Sequence, residues 1–277
     1  MENKDFSVIR QNGDLPDPKT VDTSAIIPDL WEIYYDSTST LLSNLEAAAM
    51  DIEAGNNIED NAAAIRRILH SLKGDSGVTG LNDIYELCHE TEFAFEELSS
   101  SDAADMILKV KDWICEVIDS TRDGNAAEGD GMIEDIAETE KKIKTLVIDD
   151  EPVIRKHIEM LIGDFCDCTF ASDGGKGFEI FRDALENSQP FELVTLDIEM
   201  PIMNGHETLE RIRKIEKHHK IEGLDGVKVV MSTSLDDSKN VFSAFREGCE
   251  AYVPKNHMKD KLVEEIKNLG IKTPQTA

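Results

Sequence analysis

The chain has 277 residues with 57 acidic and 29 basic side chains, a formal net charge of −28 at pH 7, and a length that suggests two domains. An acidic surface with no Lys/Arg-rich run argues against nucleic acid or an anionic membrane as partner, because both carry the same sign of charge. No apolar run approaches the roughly 18–20 residues of a membrane span, residues 1–20 lack the apolar core of a signal peptide, and five scattered cysteines suit reduced thiols, so a cytoplasmic protein without membrane insertion is expected.

Residues 1–27 show no packing pattern and are expected to be flexible. From Pro28 to Thr121 apolar residues recur at helical spacing without strand-like alternation, which predicts an all-α antiparallel helical bundle over 28–121. Pro28 and Asp29 suit a first helical turn, and Leu30, Ile33, Tyr34, Leu41, Leu45 and Ala48 follow on one face. Further helices are predicted over about 58–75, 82–98 and 102–120, broken at Gly55-Asn56-Asn57, at Gly77 to Gly80 and at Ser99-Ser100-Ser101.

Residues 122–142 combine three glycines with charge and read as a linker. Net charge shifts there, from −21 over residues 1–142 to −7 over the remainder. Over 143–270 short apolar runs at Ile143 to Ile148, Leu193 to Leu196 and Val227 to Met231, with weaker strands at Cys168 to Ala171 and Ala251 to Val253, alternate with helical stretches. That alternation predicts an α/β doubly wound five-stranded parallel sheet, followed by a short tail at 271–277.

Asp149 and Asp150 directly follow the first of these strands, and Asp197 ends the third. Alone, an aspartate pair after a strand also fits a helix cap. In a doubly wound sheet, however, the carboxyl ends of neighbouring strands face one crevice, where three acids would converge. Three close carboxylates suit a hard divalent cation such as Mg²⁺, and one of them could then act as a nucleophile toward phosphorus. Thr233 and Lys255, at the ends of later strands, would add a hydroxyl and a positive charge at the same edge.

The segments LVIDDEP at 146–152, LDIEMPIMNG at 196–205, MSTS at 231–234 and YVPK at 252–255 resemble the receiver domain of two-component response regulators, a flavodoxin-like fold. The resemblance implies that Asp197 accepts the phosphoryl group and that Asp149, Asp150, Asp197 and the backbone carbonyl of Glu199 hold Mg²⁺. It implies that Lys255 contacts the phosphoryl group, that Thr233 and Tyr252 form the switch pair, and that the domain promotes its own phosphorylation and dephosphorylation. Asn256 replaces the proline usual after the lysine, and residues 214–226 lengthen the connection before the fourth strand. The fourth and fifth helices of such domains are a common dimer surface, so a dimer is conceivable through this half.

In the helical half, His70 lies on an amphipathic segment, with Lys73 and Gly74 three and four residues on and so on its face. A glycine inside a helix costs roughly 1 kcal/mol against alanine, which suggests that it clears the approach of a second protein to the imidazole. Lys73 would offset charge on a phosphoryl group attached to that ring, for which neutral imidazole is a competent nucleophile. His-Ser-Leu-Lys-Gly at 70–74, within HSLKGDSGVTGLNDIYELCHETE at 70–92, resembles the histidine phosphotransfer (HPt) domain, in particular that of the chemotaxis histidine kinase. The resemblance implies that His70 is the phosphohistidine and that His89 and Glu92 hydrogen-bond its ring.

The expected function is a phosphorelay carrier in which His70 and Asp197 exchange phosphoryl groups with a separate histidine kinase and with other receiver or HPt proteins. No Gly-rich phosphate loop or nucleotide motif appears, so no kinase ATP-binding domain is expected, nor an output domain. A linker of about 20 flexible residues would span roughly 25 Å, which makes exchange within one chain sterically feasible. Two alternatives differ in kind: a scaffold or phosphate sink that binds partners without relay, and an aspartate-nucleophile phosphatase, whose Asp-x-Asp is here Asp149-Asp150-Glu151.

Overall fold

The computed structural model describes residues 4–11, 13–98, 100–124, 142–221, 223–233 and 248–273. The chain divides into two compact units, Met1–Asp135 and Ile136–Ala277. Among the described residues, no helix is long and apolar enough to cross a membrane.

The first unit is built from helices α1 (Pro28–Glu53), α2 (Ile58–Thr79), α3 (Asn82–Glu97) and α4 (Ser100–Gly124). α2 packs on α1 and α3, and α4 on α1 and α3, so each helix has two neighbours around one core. Leu30, Tyr34, Leu42 and Leu45 of α1, Ile65, Leu69 and Leu72 of α2, Leu87 of α3 and Ile107 and Ile114 of α4 are buried in it. Proline supplies the first residue of α1, where its fixed φ suits the helix and its missing N–H is not needed.

α2 runs through Gly77, where a break was predicted, and stops at Gly80, with φ of 97°. A Cβ there would also lie 2.1 Å from the Ala25 carbonyl oxygen, so position 80 admits glycine on two grounds. α4 extends past Thr121 to Gly124, and residues 125–141 of the expected linker lie outside the described residues.

Within the N-terminal segment expected to be flexible, Ser7–Gln11 packs against α3 and Pro18–Thr20 against α4. Phe6 and Ile9 are buried, Phe6 standing edge-on to Trp113 with ring centroids 5.5 Å apart. The Trp113 indole donates to the Pro16 carbonyl at 2.7 Å, Lys4 pairs with Asp83, and Arg10 pairs with Glu90 at 2.7 Å. Two isolated large apolar residues and a few cations anchor this arm to an acidic surface, a pattern without periodicity for sequence reading to detect.

The second unit is a five-stranded parallel sheet in the order β2-β1-β3-β4-β5. Its strands are β1 (Ile143–Ile148), β2 (Cys166–Ala171), β3 (Leu193–Asp197), β4 (Lys228–Thr233) and β5 (Ala251–Pro254). The described helices are α5 (Pro152–Ile162), α6 (Gly174–Glu186), α7 (Gly205–His218) and α8 (Met258–Asn268); residues 234–247, where the fourth helix of the dimer expectation would fall, lie outside the described residues.

Phe181 of α6 and Leu209 and Ile212 of α7 pack with Leu146, Ile148, Val194 and Leu196 on one sheet face. α5 and α8 pack against each other and against β1 and β5. Covering both faces is why the central strands are continuous apolar runs. Strand order reverses between β1 and β3, the place where doubly wound sheets open a crevice at their carboxyl ends.

His157 of α5 is buried, its Nδ1 lacks a hydrogen-bond partner, and burial followed by the charge of Lys259 pushes its pKa down to about 4. The folded unit therefore excludes a proton that the unfolded chain binds below about pH 6.5. Its stability contribution is complete above that pH and falls by roughly 3 kcal/mol as pH drops to 4. Urea titrations from pH 7 to 4 on wild type and His157→Leu should show a shallower acid slope for the variant; parallel slopes would refute the assignment.

Candidate functional sites

At the carboxyl edge of the sheet, the register pairs Ile148 with Leu196, Asp197 with Ser232 and Thr233 with Pro254, which brings the ends of β1, β3, β4 and β5 to one level. Asp149 and Asp197 are buried, Asp150 is half-buried, and one carboxylate oxygen from each lies within 4.8 Å of the others. Thr233 is buried at the same edge. Lys255, 3% exposed just beyond β5, places Nζ 3.1 Å from Asp149 Oδ2 and 3.4 Å from Asp197 Oδ1.

Gly205 shapes the loop below Asp197: its N–H donates to the Ile198 carbonyl at 2.9 Å, and a Cβ would lie 2.2 Å from the Asp197 carbonyl oxygen. Asn204 caps α7 reciprocally with Glu207, fixing the far end of that loop. The Glu199 side chain is exposed on it. Tyr252 is partly buried on β5 against the core beside Met231, its partner in register.

Burial is the first cause pushing the carboxyl pKa values up, to about 8 for Asp149 and about 6 for Asp197, with Lys255 the largest influence in the other direction. Asp150 rises to about 7, first through burial and then through Glu151 and Asp149. Lys255 is held well above its ordinary value by the carboxylates around it, although burial opposes this. Asp149 Oδ2 is buried without an aligned hydrogen-bond donor. Clustered oxygen donors, excess negative charge and one unsatisfied buried oxygen fit a hard divalent cation.

Sequence reading missed Glu151. It is 6% exposed and accepts a hydrogen bond from Lys255 at 2.7 Å, the shortest of the three carboxylate contacts of that ammonium. As a third acid beside two others it carries no spacing signal of its own. Arg155 also donates to the Asp149 carbonyl at 2.6 Å, tying the acidic turn to α5.

In the helical unit, His70 of α2 faces Glu92 of α3, with Nδ1 3.6 Å from Glu92 Oε1. The other Glu92 oxygen accepts a hydrogen bond from Lys73, whose side chain is buried. Burial acts to raise the Glu92 pKa, but the hydrogen bonds of His70 and Lys73 outweigh it and hold the group below its ordinary value. The three residues thus form one polar cluster across α2 and α3.

His89 stacks on Tyr85, with centroids 6.4 Å apart, and meets Phe93 edge-on at 5.0 Å. Arg10 of the N-terminal arm lies over the Phe93 ring. Gly74, on the His70 face of α2, is buried. The contact of Tyr85 with the Gly77 position and the Lys73–Glu92 pair join α2 to α3.

Comparison with known proteins accounts for both units. The family model of the Hpt domain matches residues 29–120, and that of the response regulator receiver domain matches residues 145–267. Curated relatives include the probable transcriptional regulator ycf29 of Porphyra purpurea, 33% identical over 125 residues, covering 45% of this chain and 54% of that protein. The nitrate/nitrite response regulator protein NarL of Escherichia coli is 33% identical over 124 residues, covering 44% and 51%. The chain thus spans about half the length of the curated relatives it matches.

Similar solved structures include the receiver domain of the histidine kinase CKI1 from Arabidopsis thaliana complexed with Mg²⁺ and BeF₃⁻, at 20% identity, TM-score 0.41 and coverage of 46% of this chain and 89% of that one. A response regulator receiver domain protein from Clostridium thermocellum matches at 31% identity, TM-score 0.39 and coverage of 46% and 93%. Hpt and receiver domains are phosphoryl carriers and not kinases. Residues 29–120 are an Hpt domain and residues 145–267 a response regulator receiver domain, so this chain joins two domains of the two-component families.

Proposed function

We propose that the chain carries phosphoryl groups at two residues, His70 and Asp197, and exchanges them with a separate histidine kinase and with other receiver or HPt proteins. The observation that carries this reading is the convergence of Asp149, Asp150 and Asp197 with Lys255 at one sheet edge. An Asp197 carboxylate oxygen attacks phosphorus on a donor phosphohistidine. The new P–O bond forms as the P–N bond breaks, and the departing imidazole nitrogen keeps the electron pair.

Asp149, Asp150, Asp197 and the Glu199 carbonyl would hold Mg²⁺, which when bound supplies positive charge against the phosphoryl oxygens. Lys255 and the Thr233 hydroxyl supply the remaining positive charge and hydrogen bonding, and Tyr252 reports the change to partners. At His70, Glu92 Oε1 lies 3.6 Å from Nδ1, which favours a proton on that nitrogen and leaves the Nε2 lone pair for phosphorus, while Lys73 tempers the added negative charge.

The test is radiolabel transfer from a phosphorylated histidine kinase, with Mg²⁺, to the intact chain, His70→Gln and Asp197→Ala. Acid-labile, alkali-stable label should vanish with His70→Gln, and a second label should vanish with Asp197→Ala. Absence of label on either residue, with several kinases, would favour a scaffold. Exchange within one chain would proceed at a rate independent of protein dilution.

A further inference from the structure

Glu151 has no part in the transfer chemistry above, yet it makes the shortest contact to the residue that does. Its backbone N–H donates to Asp149 Oδ1 at 2.9 Å, which closes the turn after β1, and its side chain is buried in the site. Of the three carboxylates around Lys255 Nζ, Glu151 lies at 2.7 Å, Asp149 at 3.1 Å and Asp197 at 3.4 Å. The ammonium is thus drawn toward an acid outside the group clustered for a cation, and stands farthest from the nucleophile.

We propose that Glu151 is a positioning residue that parks Lys255 beside the site and competes with a phosphoryl group on Asp197 for its charge. The proposal rests on the receiver reading and adds a brake to it. A phosphoryl group on Asp197 places new negative oxygens beyond the carboxylate, and the flexible lysine stem lets the ammonium follow them. Glu151 then loses its cation and stays as a buried carboxylate next to the phosphoryl charge, which repels it. Both consequences oppose the phosphorylated state. Opposite effects are therefore expected on the two ligands of the site: Glu151 attracts the metal as a nearby negative charge and disfavours the phosphoryl group.

The experiment uses the full chain with Mg²⁺ alone, then beryllofluoride as a phosphoryl mimic at saturating Mg²⁺, followed by amide NMR and ¹⁹F NMR. Glu151→Gln, which keeps the shape, should weaken Mg²⁺ binding by about 2- to 5-fold and strengthen beryllofluoride binding by about 5- to 10-fold. Glu151→Asp keeps the charge with a shorter reach, so its Mg²⁺ affinity should match wild type while beryllofluoride binding rises by a smaller factor.

A fall of both affinities together in Glu151→Gln would mark a structural role and overturn the proposal. A loss of Mg²⁺ binding by about 100-fold or more would make Glu151 a metal ligand and overturn it as well. Wild type that binds Mg²⁺ but no beryllofluoride would overturn the receiver reading, and the brake with it, whereas tight wild-type binding with no gain in either variant would overturn the brake alone.

Discussion

Lys255→Met in metal-free protein at about pH 8 is expected to lower the stability of the receiver unit by about 3–5 kcal/mol, and Mg²⁺ is expected to recover much of the loss. Lys255 is the ammonium shared by Asp149, Glu151 and Asp197, all of them buried. Without it, three carboxylates face one another in a site from which most water is excluded. Burial already pushes Asp149 up to about 8 and Asp197 up to about 6, with Lys255 as the largest opposing influence. A raised carboxyl pKa means that ionisation costs the folded state as pH rises from the ordinary carboxylate range toward the raised value, so the penalty is near its full size at about pH 8.

Both tryptophans, Trp31 and Trp113, lie in the first unit, so their emission follows that unit alone, whereas far-UV circular dichroism follows both. Urea unfolding in EDTA should move the receiver transition to lower denaturant and leave the tryptophan transition in place. Equal stability of variant and wild type in EDTA would contradict the charge balance described here.

The receiver half was legible because its chemistry sits at strand ends. Short apolar runs placed Asp149, Asp197, Thr233 and Lys255 at strand ends before any contact was known, and parallel register brought those ends to one edge. Glu151 was hidden because its meaning depends on Lys255, 104 residues away, and an acid ahead of a helix is ordinarily solvated. The N-terminal arm was hidden for a related reason. Phe6 meets Trp113 and Lys4 meets Asp83 across long sequence separations, with no repeat to mark either contact.

Gly74 was singled out for a partner's approach to His70, and it is buried in the folded unit. The Glu92–Lys73 contact, by contrast, joins two residues that the sequence had singled out for different reasons.

That contact leads to the largest effect expected in the helical unit: Glu92→Ala should slow phosphoryl transfer to His70 by about 100-fold. Glu92 stays ionised because His70 and Lys73 outweigh its burial. An ionised carboxylate beside Nδ1 favours the tautomer with Nε2 free, and it stabilises the positive charge that grows on the ring as the P–N bond forms. Alanine removes both effects and leaves the buried Lys73 ammonium without its carboxylate. Glu92→Gln retains an oxygen for the Nδ1 proton but not the charge, so it should fall between alanine and wild type. Single-turnover labelling from a phosphorylated donor measures the rates, and ¹⁵N shifts of the His70 ring report the tautomer. A Glu92→Ala rate within about 2-fold of wild type, with an unchanged tautomer, would remove Glu92 from the site and leave Lys73 and His70 to act alone.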